Sequence, residues 1–199
     1  GVHVALGHSD ATYEEALACV NAGADIFVHT YNGMSGLHHR EPGMVGAAMT
    51  THGTYAEAIC DGHHLNPIAV RALVNAKGYD HTVLITDCMR AGGMPNGQYK
   101  LGDFPVVVEG GTARLMDESH SLAGSILRLF EGVKNVFDWG IVSAEEAVRM
   151  ASENPARSCG IDDVCGFIRP GYDADFIVIT KDLQQIGRAS CRERVYVLV

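Results

Sequence analysis

Four short apolar runs occupy the first ninety residues: HVALGH at 3–8, DIFVHT at 25–30, TYAEAIC at 54–60 and HTVLITD at 81–87. Between them lie YEEALACVNAGA, PGMVGAAMT and NPIAVRALVNAKG, which read as helices. The first has apolar positions at helical spacing behind the capping candidates Ser9, Asp10 and Thr12, with acids in its first turn. The second carries Pro42 near its start, and the third opens at Asn66-Pro67 and closes at Gly78. Strand and helix alternating in this rhythm predict parallel βα units. Periodicity alone leaves open whether the sheet is part of a barrel or an open doubly wound sheet.

After residue 90 the pattern changes. A Gly-rich stretch leads into FPVVVEGGTARL, which reads as a hairpin region. SLAGSILRLFEGVKNVFDWG, residues 121–140, has apolar residues spaced for a helix, and SAEEAVRMASENPARSCGI starts with a capping-box pattern, Ser143-x-x-Glu146. GFIRPGYDADFIVI reads as a turn entering a strand.

The informative feature is where the polar residues fall. His8, His29, the Asp61/His64 cluster and Asp87 each stand at the C-terminal end of a predicted strand. In parallel α/β architectures those ends share one face, where catalytic groups gather. Two neutral imidazoles can hold a divalent ion and leave room for a carboxylate and a water. Such an ion lowers the pKa of bound water and polarises a carbonyl, and a carboxylate at Asp87 could shuttle the proton. No Ser-His-Asp arrangement, P-loop or dinucleotide fingerprint competes with this reading.

Bulk properties narrow the partners. A net charge of -9 argues against a general nucleic-acid binder, and no run approaches the roughly 18 apolar residues of a membrane helix. A small anionic ligand needs only one arginine and a few backbone N–H groups. The six cysteines, Cys19, Cys60, Cys88, Cys159, Cys165 and Cys191, form no C-x-x-C pair and are expected to be small buried hydrophobes in a reducing cytoplasm.

The ordered series GHSDAT, VHTYNGM, HHREPG, ICDGHHL, LITDCM and LAGS resembles the N-acetylglucosamine-6-phosphate deacetylases of the amidohydrolase superfamily, from residue 1 to about 183. The resemblance implies the C-terminal half of a metal-dependent (β/α)8 TIM-like barrel, its last four βα units and following helices over residues 1–165, with a strand of a small β-domain over 166–185. It implies the ligand pair His8 and His29 for a divalent metal ion, zinc first, with iron, manganese or cobalt as alternatives. Asp87 becomes the general base and then acid. Asn32, Gly33 and Arg40 would meet the phosphate of a phosphorylated N-acetyl amino sugar. Asp61, Gly62, His63 and His64 would line the substrate pocket, with Leu122, Ala123 and Gly124 opposite; His64 matches the substrate-contacting histidine and His63 a variable position. A homodimer is the implied assembly.

This sequence departs from the family at Gly33, where members often carry Ala, and at Cys88-Met89, where smaller residues are common. The family's metal-binding Glu, in an H-x-E-G-P segment, and its His-x-His have no counterpart in these residues. The expected enzyme rival acts on N-acetylgalactosamine 6-phosphate, and the rival of another class is a non-catalytic sugar-phosphate-binding remnant. IGRASCRERV, residues 186–195, resembles a translated sequencing adapter, so residues 186–199 are expected to be a read-through tail.

Overall fold

β1 (Val4–Leu6), β2 (Ala24–Phe27), β3 (Tyr55–Ile59) and β4 (Thr82–Ile85) lie side by side in chain order, all parallel, in a computed structural model that describes residues 1–189. The crossovers are α1 (Tyr13–Asn21), α2 (Gly43–Thr50) and α3 (Pro67–Lys77). A doubly wound sheet reverses its strand order at a switch point, whereas a barrel adds each strand at the same edge. The order here is monotonic, as in an arc of a barrel.

Local chemistry sets the element ends. Thr12 and Glu15 form a reciprocal capping box on α1, and Asn66 caps α3 ahead of Pro67. Gly78, at φ 88°, ends α3 in a conformation that costs glycine nothing. The strands alternate with period two. Ala56 and Ala58 of β3 face outward into the core shared with Val70 and Leu73 of α3, so the helix can approach closely. Glu57 and Ile59 take the opposite, interior face, and Ile59 lines the main cavity. Burial of Val70 and Leu73 contributes about 1.5–3 kcal/mol each.

Beyond β4 the chain builds a three-stranded antiparallel meander, β5 (Gly97–Leu101), β6 (Phe104–Glu109) and β7 (Thr112–Leu115). Only the later part of the helical pattern at 121–140 is helix: α4 runs Leu129–Asp138, while residues 121–128 are extended. Their backbone is taken up elsewhere, since Leu122 bridges to Arg114 and Ser125 to Cys88. Tertiary pairing overrides local periodicity there. The predicted capping box opens α5 (Ala144–Ala151), and α6 (Glu153–Ser158) follows after a break at Ser152. Buried Asn154 ties α6 to the start of β4, donating to the carbonyls of Tyr79 and Thr82 at 2.7 and 2.8 Å.

Among the five described cysteines only Cys60 is buried, and burial pushes its thiol up to about 12. Cys19, Cys88 and Cys159 are exposed, which corrects the expectation of buried hydrophobes; they sit on helix surface or loop positions that the sheet does not cover. Cys191 lies outside the described residues. β8 (Phe176–Ile179) pairs antiparallel with β9 (Gln185–Ala189), so residues 186–189 of the segment read as a tail run as strand, and the rest of it lies outside the described residues. No helix among the described residues is long and apolar enough to cross a membrane.

Lys77 closes α3 with its ammonium turned inward, donating to the Thr51 carbonyl and Thr54 hydroxyl at 2.6 Å each. Burial lowers its pKa from 10.5 to about 8. A base depressed in the folded state binds fewer protons than in the unfolded chain between those values, so its contribution to stability rises with pH across that window. The urea midpoint of the unaltered chain is therefore expected to gain on that of Lys77→Met between pH 8 and 10.5. A constant difference would refute the shift.

Candidate active site at the strand ends

The four strands deliver their polar residues with one spacing. β1 ends at Leu6 and His8 follows by two; β2 ends at Phe27 and His29 follows by two; the same offset separates Ile59 from Asp61 and Ile85 from Asp87. Three of these residues are left-handed without being glycine: His8 at φ 46°, His29 at 28° and Asp87 at 46°. Each such conformation costs on the order of 1–3 kcal/mol and survives where surrounding bonds fix it. The turn ends the strand and throws the side chain over the sheet end.

At Asp87 the fixing bonds come from the extended strap. Its carbonyl accepts from Ser125 N–H at 2.8 Å, Met89 N–H returns to the Ser125 carbonyl at 2.9 Å, and the Ser125 hydroxyl donates to the Thr86 carbonyl. The Asp87 carboxylate makes no hydrogen bond among the described residues and lines a cavity of about 610 Å³. His8, His29, Asn32, Gly33 and His64 form its polar side, and Leu101, Phe104, Leu115 and Leu122 an apolar one. Met89, Ala123 and Gly124 complete the wall beside Asp87.

The His8 and His29 rings stand 4.6 Å apart, centroid to centroid, and nearly perpendicular at 88°. His29 Nδ1 is buried with no hydrogen-bond partner. Burying a polar nitrogen unpaired is costly, and a cation is the partner that imidazole nitrogens suit. The pair thus fits a divalent ion as two of its ligands. Among the described residues no group of three His, Cys, Asp or Glu side chains is placed to hold a metal ion together, so they offer no complete ligand set.

His64 is held from behind. Asp61 accepts from the backbone N–H of His63 and of His64 at 2.8 Å each, and its second oxygen takes His64 Nδ1 at 2.7 Å. A carboxylate has no proton to give, so Nδ1 carries the hydrogen and Nε2 is left for the cavity. Burial raises the Asp61 pKa, but the bonds from the His64 ring and from the two backbone N–H groups outweigh it and the net shift is down.

Not every candidate reaches the cavity wall. Asp61 stands behind His64, Gly62 turns at φ 78° against Trp139, and His63 is exposed beside the hairpin glycine Gly111. Arg40 is exposed in the 36–42 loop, away from the cavity lining. Conversely, the meander residues Leu101, Phe104 and Leu115 line the cavity although nothing in their local pattern marks them. Glu57 was also missed. Its backbone carbonyl accepts from Thr30 N–H at 2.8 Å and its side chain from His29 N–H at 3.3 Å. The signal for it was an acid at an interior position of an otherwise apolar strand. Burial raises the Glu57 pKa.

Gly33 packs its backbone on the His8 ring: a Cβ there would sit 2.9 Å from Nδ1, at a φ of +59°. Gly33→Ala is expected to cost about 1–2 kcal/mol from the left-handed backbone alone and to displace the His8 ring. Urea unfolding measures the first effect and cobalt(II) affinity the second; a variant equal in both would show that the ring is free to yield.

Fold and site together define a class, parallel βα units of barrel type with their polar groups gathered at the strand ends. Residues 1–198 match the Amidohydrolase family, and the chain belongs to that family. It is 47% identical over 182 residues to an N-acetylglucosamine-6-phosphate deacetylase of Vibrio furnissii, covering 92% of this chain and 45% of that protein. It is 46% identical over 187 residues to an N-acetylgalactosamine-6-phosphate deacetylase of Escherichia coli O157:H7, covering 93% and 49%. The crystal structure of the N-acetylglucosamine-6-phosphate deacetylase of Pasteurella multocida superposes with a TM-score of 0.90 at 31% identity, over 96% of this chain and 49% of that one. The fold is accordingly that of the amidohydrolase barrel, and the four parallel strands are an arc of it. The chain spans about half the length of the curated relatives it matches.

Proposed function

We propose that this sequence is part of a deacetylase that hydrolyses the acetamide of N-acetylglucosamine 6-phosphate to glucosamine 6-phosphate and acetate. The observation that carries the reading is the convergence of His8, His29, His64 and Asp87 on one cavity in a chain so similar to such deacetylases. In this reading His8 and His29 hold a divalent ion, zinc foremost, which supplies Lewis acidity to the amide when bound. Asp87 takes the proton of the attacking water on its carboxylate and delivers it to the departing amine nitrogen. Its lack of a hydrogen-bond partner among the described residues leaves it available for both transfers. His64 offers Nε2 to a sugar hydroxyl, oriented by Asp61. Asn32 and Gly33 offer the polar groups of their loop to the ligand, and the 36–42 loop brings the Arg40 charge to the phosphate. Leu122, Ala123 and Gly124 close the opposite wall. The reading extends to a cytoplasmic homodimer, with residues 1–165 in the barrel, 166–185 in a small β-domain and 186–199 a read-through tail whose first residues, 186–189, pair with β8 as part of β9.

The test uses the purified chain and a chimera joining residues 1–185 to the part of the Vibrio furnissii relative that the alignment leaves uncovered. Each is supplied with zinc and offered N-acetylglucosamine and N-acetylgalactosamine, with and without the 6-phosphate. Acetate release by the chimera from N-acetylglucosamine 6-phosphate, and much less from the unphosphorylated sugar, is expected. Preference for the galactosamine substrate would move the assignment to that deacetylase, which the similar identity of the second relative keeps in play. Protection of the chain against thermal unfolding by the phosphorylated sugar, with no acetate from chain or chimera, would make it a binding remnant.

A further inference from the structure

Glu57 is an acid in the middle of a sheet, and the sheet itself gives no reason for it. It stands on the interior face of β3, between two alanines that face the helices, and β3 lies between β2 and β4. Glu57 therefore sits between the strand that delivers His29 and the strand that delivers Asp87. Half-buried carboxylates are costly unless they are engaged. Glu57 is engaged by the backbone of His29, whose N–H donates to Glu57 Oε2 at 3.3 Å.

The backbone explains why that bond is there. Val28 N–H donates to the Leu6 carbonyl of β1 at 2.9 Å, and Thr30 N–H to the Glu57 carbonyl of β3 at 2.8 Å. His29, between them, is left-handed at φ 28°, and among the described residues its N–H has no backbone acceptor. The His29 carbonyl is held from the other side by Asn32 N–H at 3.0 Å and Asn32 Nδ2 at 3.1 Å. Without an acceptor at Glu57, the N–H would be unsatisfied, and the peptide would relax towards the ladder geometry and carry the imidazole away from His8.

We propose that Glu57 is a positioning residue of the site: its carboxylate holds the His29 backbone N–H and so keeps the His29 ring against His8. The role rests on the reading of His8 and His29 as ligands. It makes no use of Glu57 as a ligand or proton carrier. The acceptor oxygen does the work, and a neutral amide oxygen at the same reach can replace it.

The test compares the unaltered chain with Glu57→Gln, which keeps an acceptor at the same reach, Glu57→Asp, which keeps the charge but withdraws it by one methylene, and Glu57→Ala. Two readouts are taken: hydrogen exchange of the His29 amide by NMR in metal-free protein, and cobalt(II) affinity by titration of the visible absorption band. His29 exchange should quicken in the Ala and Asp variants and not in the Gln variant. Cobalt(II) affinity should fall 10- to 100-fold in the same two variants, the usual loss when an outer partner of a metal ligand is removed. Should Glu57→Ala not fold, the Asp and Gln pair carries the comparison. Unchanged His29 exchange in the Asp variant, or a Gln variant as weak as the Asp variant, overturns the positioning role. Equal cobalt(II) affinity in all variants overturns it while leaving the metal reading standing. No cobalt(II) uptake by the unaltered chain overturns the metal reading and the role built on it.

Discussion

Asp87→Asn in the chimera is expected to lower acetate release by about 10²–10⁴-fold, the range a positioned general acid–base contributes. Asparagine keeps the size of the side chain, and the backbone bonds from Ser125 and Met89 do not involve it, so the left-handed turn at Asp87 should persist. In the proposed mechanism, what is lost is the group that accepts the water proton and returns it to the amine. The loss should fall on kcat and leave cobalt(II) affinity, set by His8 and His29, near that of the unaltered protein. A variant retaining turnover within a few-fold would remove Asp87 from the mechanism, and one losing metal together with turnover would make it a ligand instead.

Asp61→Ala is expected to have the largest effect on stability, a loss of about 2–4 kcal/mol. Three donors lose their acceptor at once: the backbone N–H groups of His63 and His64 and the His64 ring. The side chains of both Asp61 and His64 are under a tenth exposed, so water cannot readily replace the carboxylate. The pH dependence has a definite sign. The folded pKa of Asp61 is depressed below the ordinary 3.8, so its contribution is complete above that value and is lost as pH falls through the folded one. Urea midpoints of the two proteins should differ fully at pH 7 and converge in acid below about pH 4. A difference that persists unchanged in acid would show that the carboxylate charge is not what holds the turn.

Much of the site was legible because the signals were local and periodic. His8, His29, the Asp61/His64 cluster and Asp87 could be picked out since each follows the end of an apolar run, and a parallel βα rhythm implies that such ends meet. Capping at Thr12, Asn66 and Ser143 was legible for the same reason: the partners lie two or three residues apart. Residues 121–128 were not. Their apolar spacing suits a helix, but pairing with Arg114 and Cys88, distant in sequence, draws them into an extended strap. The cavity's apolar wall is equally non-local, because Leu101, Phe104 and Leu115 gain their place only when the meander packs beside the strand ends.

By itself the sequence determined the alternation of strands and helices, the polar residue at each strand end and the resemblance to a deacetylase family, all of them short-range patterns written in consecutive residues. Tertiary structure bore out the barrel that the resemblance implied and periodicity left open, and it alone decided that Asp61 serves His64 while Arg40 stays in an exposed loop, and that Glu57 faces His29. These depend on register and crossover. A one-residue slip of β3 would turn Glu57 outward to the helices and Ala56 and Ala58 inward, and the packed core of α3 on those alanines opposes it.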